Sequence, residues 1–347
     1  MCATTTLDGM PATAAPRHVW MDAFRGVAVI LVVLLHAQTA LVDSGIHRSV
    51  LVSGVNDAVG AFRIPGLLVL SGMLLPRSLR RPAGQYLTGK ARRILWPWLL
   101  WTAAMLPLFG WAAALDPTWW LAGTHTWYLT VILACYVLGL ATRRVPPALT
   151  AVLLFLAGVA LAPGALATDG TDLYSWLRVA DRVAWFGGFF FVGAALAGIV
   201  ERLVRVPGWA MVVPVALTGL RSAEAVDVGT YAGDHTLGNA AWSVLGVLAA
   251  LWVFSRLPER GPQEWLAWVG RHSIVVFVAH YPVIRVLRHL IVPPPGLPGV
   301  AVHLAAGLGV SLTLAALYPR VRWLFEVPAR RRTVDRPTDR PAVAVLA

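Results

Sequence analysis

The architecture of this chain follows most directly from one segment, Trp20-Met-Asp-Ala-Phe-Arg25-Gly-Val-Ala-Val-Ile-Leu-Val-Val-Leu-Leu-His36-Ala-Gln38. Ten uncharged and mostly aliphatic residues separate Arg25 from His36, and about 20 mostly apolar residues suffice for a helix to cross a hydrocarbon layer of about 30 Å. At about 100° per residue, the step between the two residues is three turns plus about 20°. Both side chains therefore share one face, about 16 Å apart along the axis. The stretch predicts a membrane-spanning helix with a cation near one end and an imidazole deep on the same side.

The same apolar character runs through the whole chain. Of its 347 residues, 58% are hydrophobic and 13% are charged, and the mean hydropathy is +0.68, whereas a soluble domain carries about 25% charged residues. This composition excludes a soluble globular protein, and the 16 tryptophans exclude a disordered one. The formal net charge of +12 fits short, arginine-rich cytoplasmic loops rather than a nucleic-acid partner. Cys2 and Cys135 are too few for a disulfide framework.

Apolar segments of about the length that a membrane span requires follow one another along the chain. They cover about 20–42, 58–76, 94–115, 127–142, 146–163, 183–200, 207–220, 238–255, 268–291 and 299–318. Arginines concentrate in the even-numbered loops and in the C-terminal tail, so the positive-inside rule predicts that both termini face the cytoplasm. The predicted fold is all-α: a polytopic bundle of about ten transmembrane helices in the inner (cytoplasmic) cell membrane.

We divide the chain into three regions. Residues 1–16 are rich in alanine, threonine and proline, contain no cleavable signal pattern and are expected to be disordered. Residues 17–326 are expected to form the transmembrane domain. Residues 327–347 are basic, and we expect them to be a disordered cytoplasmic tail in contact with anionic lipid.

Six short motifs occur in order along the chain. They are Asp22-x-x-Arg25-Gly26 continuing to His36, Phe62-Arg-Ile-Pro65-Gly-Leu-Leu-Val-Leu-Ser71-Gly72, Arg92-Arg93-Ile-Leu-Trp-Pro97-Trp, Thr126-Trp127-Tyr128-Leu129, Phe189-Phe-Phe-Val-Gly193 and Gly270-Arg-His-Ser273-Ile-Val-Val-Phe277-Val-Ala-His280. An arginine, ten residues and a histidine on the first helix resemble the signature of the acyltransferase-3 family of integral-membrane O-acyltransferases. The other five motifs resemble further stretches of that family, over about 17–320. The sequence departs from the family pattern at Gly66, Leu67 and Leu68, which replace the usual leucine and phenylalanine residues, and at Phe277, which stands at a tyrosine position.

The resemblance implies transfer of an acetyl or other short acyl group from acyl-CoA, with acetyl-CoA as the first candidate. The acceptor is a hydroxyl of a sugar, an envelope polysaccharide or a glycosylated natural product. His36 is then the general base, because an alcohol that attacks a thioester must lose its proton, and an imidazole with a reference pKa of about 6.5 is neutral at working pH. The alternative is an interior histidine with satisfied hydrogen bonds and no catalytic role. Arg25 is expected to bind a phosphate or pantetheine group of the donor. The expected partners are acyl-CoA, the hydroxyl acceptor and membrane lipids, with no metal and no nucleic acid.

Further candidates surround these two residues. The second span runs inward, so Arg63 lies at a depth close to that of His36. We expect it to stabilise the developing oxyanion or to orient the acceptor, and the alternative is a side chain that reaches to the outer interface. Asp22 is expected to orient Arg25 and to contribute to substrate binding, unless it is an ordinary acidic residue at a helix start. Ser71-Gly72 is interpreted as a point of close helix approach rather than as a nucleophile.

Five more positions complete the predicted site. Ser273 and His280 are seven residues apart and share a helix face, and we expect both to contact the donor. Interhelical hydrogen bonding is the alternative role for His280. Trp127, Tyr128 and Arg285 are expected to contact the substrate. The alternative for Trp127 and Tyr128 is a role as aromatic anchors at the membrane interface, and the alternative for Arg285 is a side chain that snorkels to that interface.

The sequence thus favours a membrane O-acyltransferase. The alternative is a transporter or flippase for a lipid-linked or anionic sugar, in which the cations hold a phosphate and no covalent change occurs. A non-catalytic membrane scaffold is a third hypothesis, and it would tolerate the loss of Arg25, His36 and Arg63.

Overall fold

The computed structural model describes residues 18–162, 172–229 and 235–327. The predicted disordered segment 1–16 and all of the predicted tail except its first residue lie outside the described residues. In the described part the regular structure is entirely helical. Its α-helices are α1 (Val19–Val42), α2 (Val50–Gly72), α3 (Leu75–Leu79), α4 (Ala83–Lys90), α5 (Trp96–Ala103), α6 (Leu106–Phe109), α7 (Trp127–Ala141), α8 (Pro147–Ala160), α9 (Asp172–Leu196), α10 (Val200–Leu203), α11 (Gly208–Val228), α12 (Leu237–Phe254), α13 (Pro262–Arg271), α14 (Ser273–Leu290), α15 (Leu297–Ala316) and α16 (Tyr318–Val321).

Six helical segments of the described chain are long and apolar enough to cross a membrane. They are Val19–Val42, Val50–Leu79, Ser175–Leu196, Leu237–Phe254, Ser273–Leu290 and Leu297–Ala316. Two shorter apolar helices, α7 and α8, accompany them. The all-helical class is confirmed, while the count of about ten spans and the cytoplasmic placement of the termini stay predictions.

The segment predicted as the third span, 94–115, is not one continuous helix. A π-helical turn over Ala91–Leu95 leads into α5, which ends at Ala103, and the short α6 stops at Gly110 with a φ of 93°. Pro107 has no N–H to continue the helical hydrogen bonds, and a positive φ turns the backbone out of the helix. Apolar composition predicts burial in lipid or protein, but it does not show these breaks.

Helix α1 forms the centre of the bundle and packs against α2, α12, α13, α14 and α15. Its contact with α13 is made by backbone atoms. A Cβ on Gly26 would overlap the carbonyl oxygen of Leu266, and a Cβ on Gly270 would overlap that of Asp22. The two glycines therefore let α13 lie directly against the end of α1 that carries Asp22 and Arg25.

Helices α2 and α9 approach each other in the same way. A Cβ on Gly72 would overlap the carbonyl oxygen of Phe190, and one on Gly193 would overlap that of Val69. The Ser71 hydroxyl donates to the Leu67 carbonyl in its own helix at 2.8 Å. The interpretation of Ser71-Gly72 as a point of close helix approach is confirmed.

The close α1–α13 contact predicts that adding a single methyl group at Gly270 destabilises the protein. Gly270→Ala should lower the free energy of unfolding by about 1–3 kcal/mol, because the added carbon overlaps a backbone oxygen that cannot move alone. The measurement is the thermal unfolding midpoint of the purified protein in detergent. Gly309→Ala in α15 is the matched control, since no atom lies within 4 Å of its added carbon. Equal midpoints for the two variants would contradict the proposed overlap.

Candidate functional site

His36 lies in the wall of a cavity of about 810 Å³, which we call the His36 cavity. Residues of α1, α2, α7, α9, α11, α12 and α14 line it. Its charged wall residues are Asp57, Arg63, Arg182, Arg221 and Glu224. Its aromatic wall residues include Trp127, Tyr128, Trp185, Phe186, Trp242 and Phe277. The cavity therefore combines flat apolar surfaces with polar groups of both charges.

The hydrogen bonds of His36 determine where its proton lies. Its Nδ1 is 3.0 Å from Nε2 of His280, and Nδ1 of His280 is 2.9 Å from the carbonyl oxygen of Val276. A carbonyl oxygen only accepts, so Nδ1 of His280 carries the hydrogen and its Nε2 is the acceptor. In the neutral pair, Nδ1 of His36 must donate to it. The lone pair of His36 is therefore on Nε2, the nitrogen suited to remove a proton from a ligand.

His125, which the sequence analysis did not single out, also lines the His36 cavity. Its Nε2 donates to the carbonyl oxygen of Val278 at 3.2 Å. That carbonyl is four residues before Pro282, which has no N–H to bond it within α14. The ring of His125 stacks on that of Tyr281 with centroids 4.7 Å apart, and the Tyr281 ring meets the His36 ring edge-on with centroids 4.9 Å apart. A proline inside a predicted span was the available signal, because the carbonyl that it leaves unbonded requires a donor from elsewhere.

Arg25 lines a smaller cavity of about 150 Å³, which we call the Arg25 chamber. Its Nη1 donates to Oδ1 of Asp22 at 3.1 Å, so the acidic side chain holds the guanidinium in place. Ser71 and Ser273 also line the chamber, and most of its other wall residues are apolar. Of the two residues predicted to contact the donor beside Arg25, Ser273 lies here, whereas the structure places His280 against His36.

Two aromatic rings separate the Arg25 chamber from the His36 cavity. Tyr128 and Phe277 line both, and their ring centroids are 4.9 Å apart. Arg25 and His36 thus face protein-lined cavities, as their shared helix face predicts. They do not face a single groove, because the ring pair stands between them.

A third cavity of about 540 Å³, which we call the basic pocket, meets the Arg25 chamber at Ile94, a wall residue of both. Its cationic wall residues are Arg81, Lys90, Arg92 and Arg93. Burial, and then the nearby charges of Arg81 and Arg93, lower the pKa of Lys90 to about 8. The carboxylate of Glu326 lies 3.5 Å from both Arg92 and Arg93. Arg81 and Lys90 have no ion-pair partner within the part of the chain that the structure describes.

The structure brings some of the remaining predicted residues to the site and not others. Arg63 lines the His36 cavity and donates to Oδ1 of Asn56 at 2.9 Å and to the Leu31 carbonyl at 3.4 Å. Arg285 is not a wall residue of this cavity. It pairs instead with Asp43 at 3.2 Å. In the described ranges no group of three His, Cys, Asp or Glu side chains is arranged to hold a metal ion.

The fold and these cavities define a class: a multi-pass membrane protein with a polar site enclosed between its helices. A family model described as an acyltransferase domain, that of the acyltransferase-3 family, matches residues 18–318, nearly the whole chain. The chain belongs to the acyltransferase-3 family, and it is a membrane acyltransferase. No curated protein and no solved structure gives a significant match to it.

Proposed function

We propose that this protein transfers a short acyl group from acyl-CoA to a hydroxyl group bound in the His36 cavity. The observation that carries the proposal is the position of His36. Its unprotonated Nε2 belongs to a cavity that meets the chamber of Arg25 across one pair of rings. A base and a permanent cation are thereby placed on the two sides of the point where two substrates would meet.

The three neighbouring cavities match the parts of acyl-CoA. The basic pocket suits the phosphates, because Arg81 and Lys90 supply positive charge there. The Arg25 chamber suits the pantetheine arm, since the helix distance from Arg25 to His36 is about 16 Å, similar to the length of that arm. Because acyl-CoA is found in the cytoplasm, we place the Arg25 end on that side of the inner membrane.

The proposed reaction follows from the protonation of His36. Nε2 removes the proton of the acceptor hydroxyl as its oxygen attacks the thioester carbonyl carbon. The carbon–sulfur bond then breaks, and the imidazolium returns the proton to the leaving thiolate. Arg63 lies close enough to His36 to interact with it electrostatically and can stabilise the negative charge on the carbonyl oxygen. The products are an ester and coenzyme A, and no other reactant is required.

The wall of the His36 cavity supports a sugar as the acceptor. Trp127 and Trp242 present flat apolar surfaces, on which the apolar face of a sugar ring can lie. Arg63 supplies a polar group for its hydroxyls. An envelope polysaccharide or a glycosylated small molecule fits this description.

The base assignment predicts the behaviour of His36→Asn. The asparagine amide keeps a donor near the position of Nδ1, so the hydrogen bond to His280 can persist while the base is lost. We expect kcat to fall about 10²–10⁴-fold with no change in the thermal unfolding midpoint. The measurement is the amount of label moved from radiolabelled acetyl-CoA to candidate glycosides by purified protein.

The same assay separates an enzyme from a transporter. A transporter would leave both acetyl-CoA and the glycoside chemically unchanged while it moved one of them across a vesicle membrane. Ester formation that continued at the normal rate in His36→Asn would refute His36 as the base.

His280 is proposed to position His36 rather than to contact the donor. In His280→Gln the amide oxygen can still accept from Nδ1 of His36, whereas His280→Leu leaves that donor without a partner. We expect kcat to fall at least about tenfold in the leucine variant and to recover largely in the glutamine variant. The KM for acyl-CoA should stay near the wild-type value in both. A raised KM for acyl-CoA with unchanged kcat would instead indicate a donor contact.

The pKa of Lys90, about 8, predicts a pH dependence of donor binding. Lys90 is charged below that pH and loses its charge above it, so its attraction for a phosphate weakens as the pH rises. We expect the KM for acyl-CoA to rise about threefold or more between pH 7 and pH 9, measured from initial rates. Lys90→Arg should show a flatter profile, because a guanidinium stays charged over this range. Identical profiles for the two proteins would exclude Lys90 from the donor site.

A further inference from the structure

Asp57 is a carboxylate in the wall of the His36 cavity that the proposed reaction does not use. Asp57 is only 8% exposed. Across 18–162, 172–229 and 235–327, no side chain or backbone group makes a hydrogen bond or ion pair with it. Glu224, the other carboxylate of the wall, is ion-paired with Arg221. Asp57 therefore keeps its full capacity to accept hydrogen bonds.

Burial of an unbonded carboxylate is costly, so its position requires a reason. Asp57 interacts electrostatically with Arg48 and Arg63. This attraction offsets part of the free-energy cost of burying its negative charge. The guanidinium of Arg63, however, donates to Asn56 and to the Leu31 carbonyl. The positive charge nearby thus makes an ionised Asp57 tolerable without occupying its oxygen atoms.

His125, another residue of the cavity wall, also carries a hydrogen-bond acceptor without a partner among the described residues. Nε2 of His125 donates to the Val278 carbonyl, so its Nδ1 is an acceptor, and this buried atom has no hydrogen-bond partner among the residues that the structure describes. Two of the arginines of the wall, by contrast, have their guanidinium groups engaged. Arg221 binds Glu224 and Asn239. Arg182 donates to a backbone carbonyl, that of Ala122, at 2.6 Å.

Asp57 therefore offers the His36 cavity a hydrogen-bond acceptor, and a ligand group that contacts it must supply hydrogen-bond donors. Hydroxyl groups satisfy this requirement. A carboxylate or phosphate beside Asp57 does not, because it has no proton to donate at neutral pH and carries the same charge.

We propose that Asp57 is a specificity-determining residue of the acceptor site. Its carboxylate binds hydroxyl groups next to the one that is acylated, and it rejects an anionic group at that position. The acceptor class is an uncharged, polyhydroxylated sugar rather than a uronic acid or a sugar phosphate. This inference rests on the proposed function, since it assigns the acceptor to the His36 cavity.

Binding without the donor tests the proposal separately from catalysis. The probes are the neutral methyl glycosides of glucose, galactose and mannose, together with the corresponding methyl uronosides. Their dissociation constants are measured by saturation-transfer NMR on the purified protein in detergent. We expect at least one neutral glycoside to bind, and its uronic acid counterpart to bind about tenfold more weakly or not at all.

Asp57→Asn is the matching variant, because it keeps the shape of the side chain and removes the charge. The substitution should weaken binding of the neutral glycoside about tenfold and reduce the difference in affinity between it and the uronoside. Asp227→Asn is the control. Asp227 is exposed on α11 and is not a wall residue of the cavity, so the same substitution there should leave both dissociation constants unchanged.

Three results would overturn the inference. They are equal or tighter binding of the uronosides to the wild-type protein, no binding of any neutral glycoside, and an Asp57→Asn variant with unchanged affinities. The first two need no variant and do not depend on how Asp57→Asn folds. Selective binding of neutral glycosides without any ester formation would contradict the proposed acyl transfer and leave the role of Asp57 in binding intact.

Discussion

A polar group between membrane helices must find its partner within the protein, because the hydrocarbon around it offers none. The site depends on this constraint at α14. Pro282 leaves the Val278 carbonyl without a helical N–H, and His125 donates to it. Two residues earlier, the Val276 carbonyl accepts a hydrogen bond from Nδ1 of His280, so Nε2 of His280 must accept from His36. Two backbone carbonyls of one helix thus set the protonation of three imidazoles.

Backbone contacts hold the helices that carry these groups. Gly26 and Gly270 let α13 lie against α1, and Gly72 and Gly193 do the same for α2 and α9. Such contacts are typical of helix association in membranes, where close packing replaces the hydrophobic effect.

The sequence predicts the fold better than it predicts the site. An uninterrupted apolar run gives α1 almost to the residue, since every position must suit a helix in lipid. The segment predicted as the third span is not one helix, because Pro107 and Gly110 act on the backbone without changing its apolar composition. The local sequence around His125 does not predict its role, because that role comes from a carbonyl on α14, a helix more than a hundred residues away in the chain.

The amino-acid sequence by itself determined that this chain is an all-helical membrane protein of the acyltransferase-3 family, because composition, apolar runs and motif order are properties of the chain. It also placed Arg25 and His36 on one helix face, because helical geometry is periodic. The packing of the helices alone establishes that Tyr128 and Phe277 stand between their two cavities, that His280 bonds to His36, and that Asp57 lies in the wall of the His36 cavity. Such facts depend on which side chains of different helices meet, and no local pattern encodes those meetings.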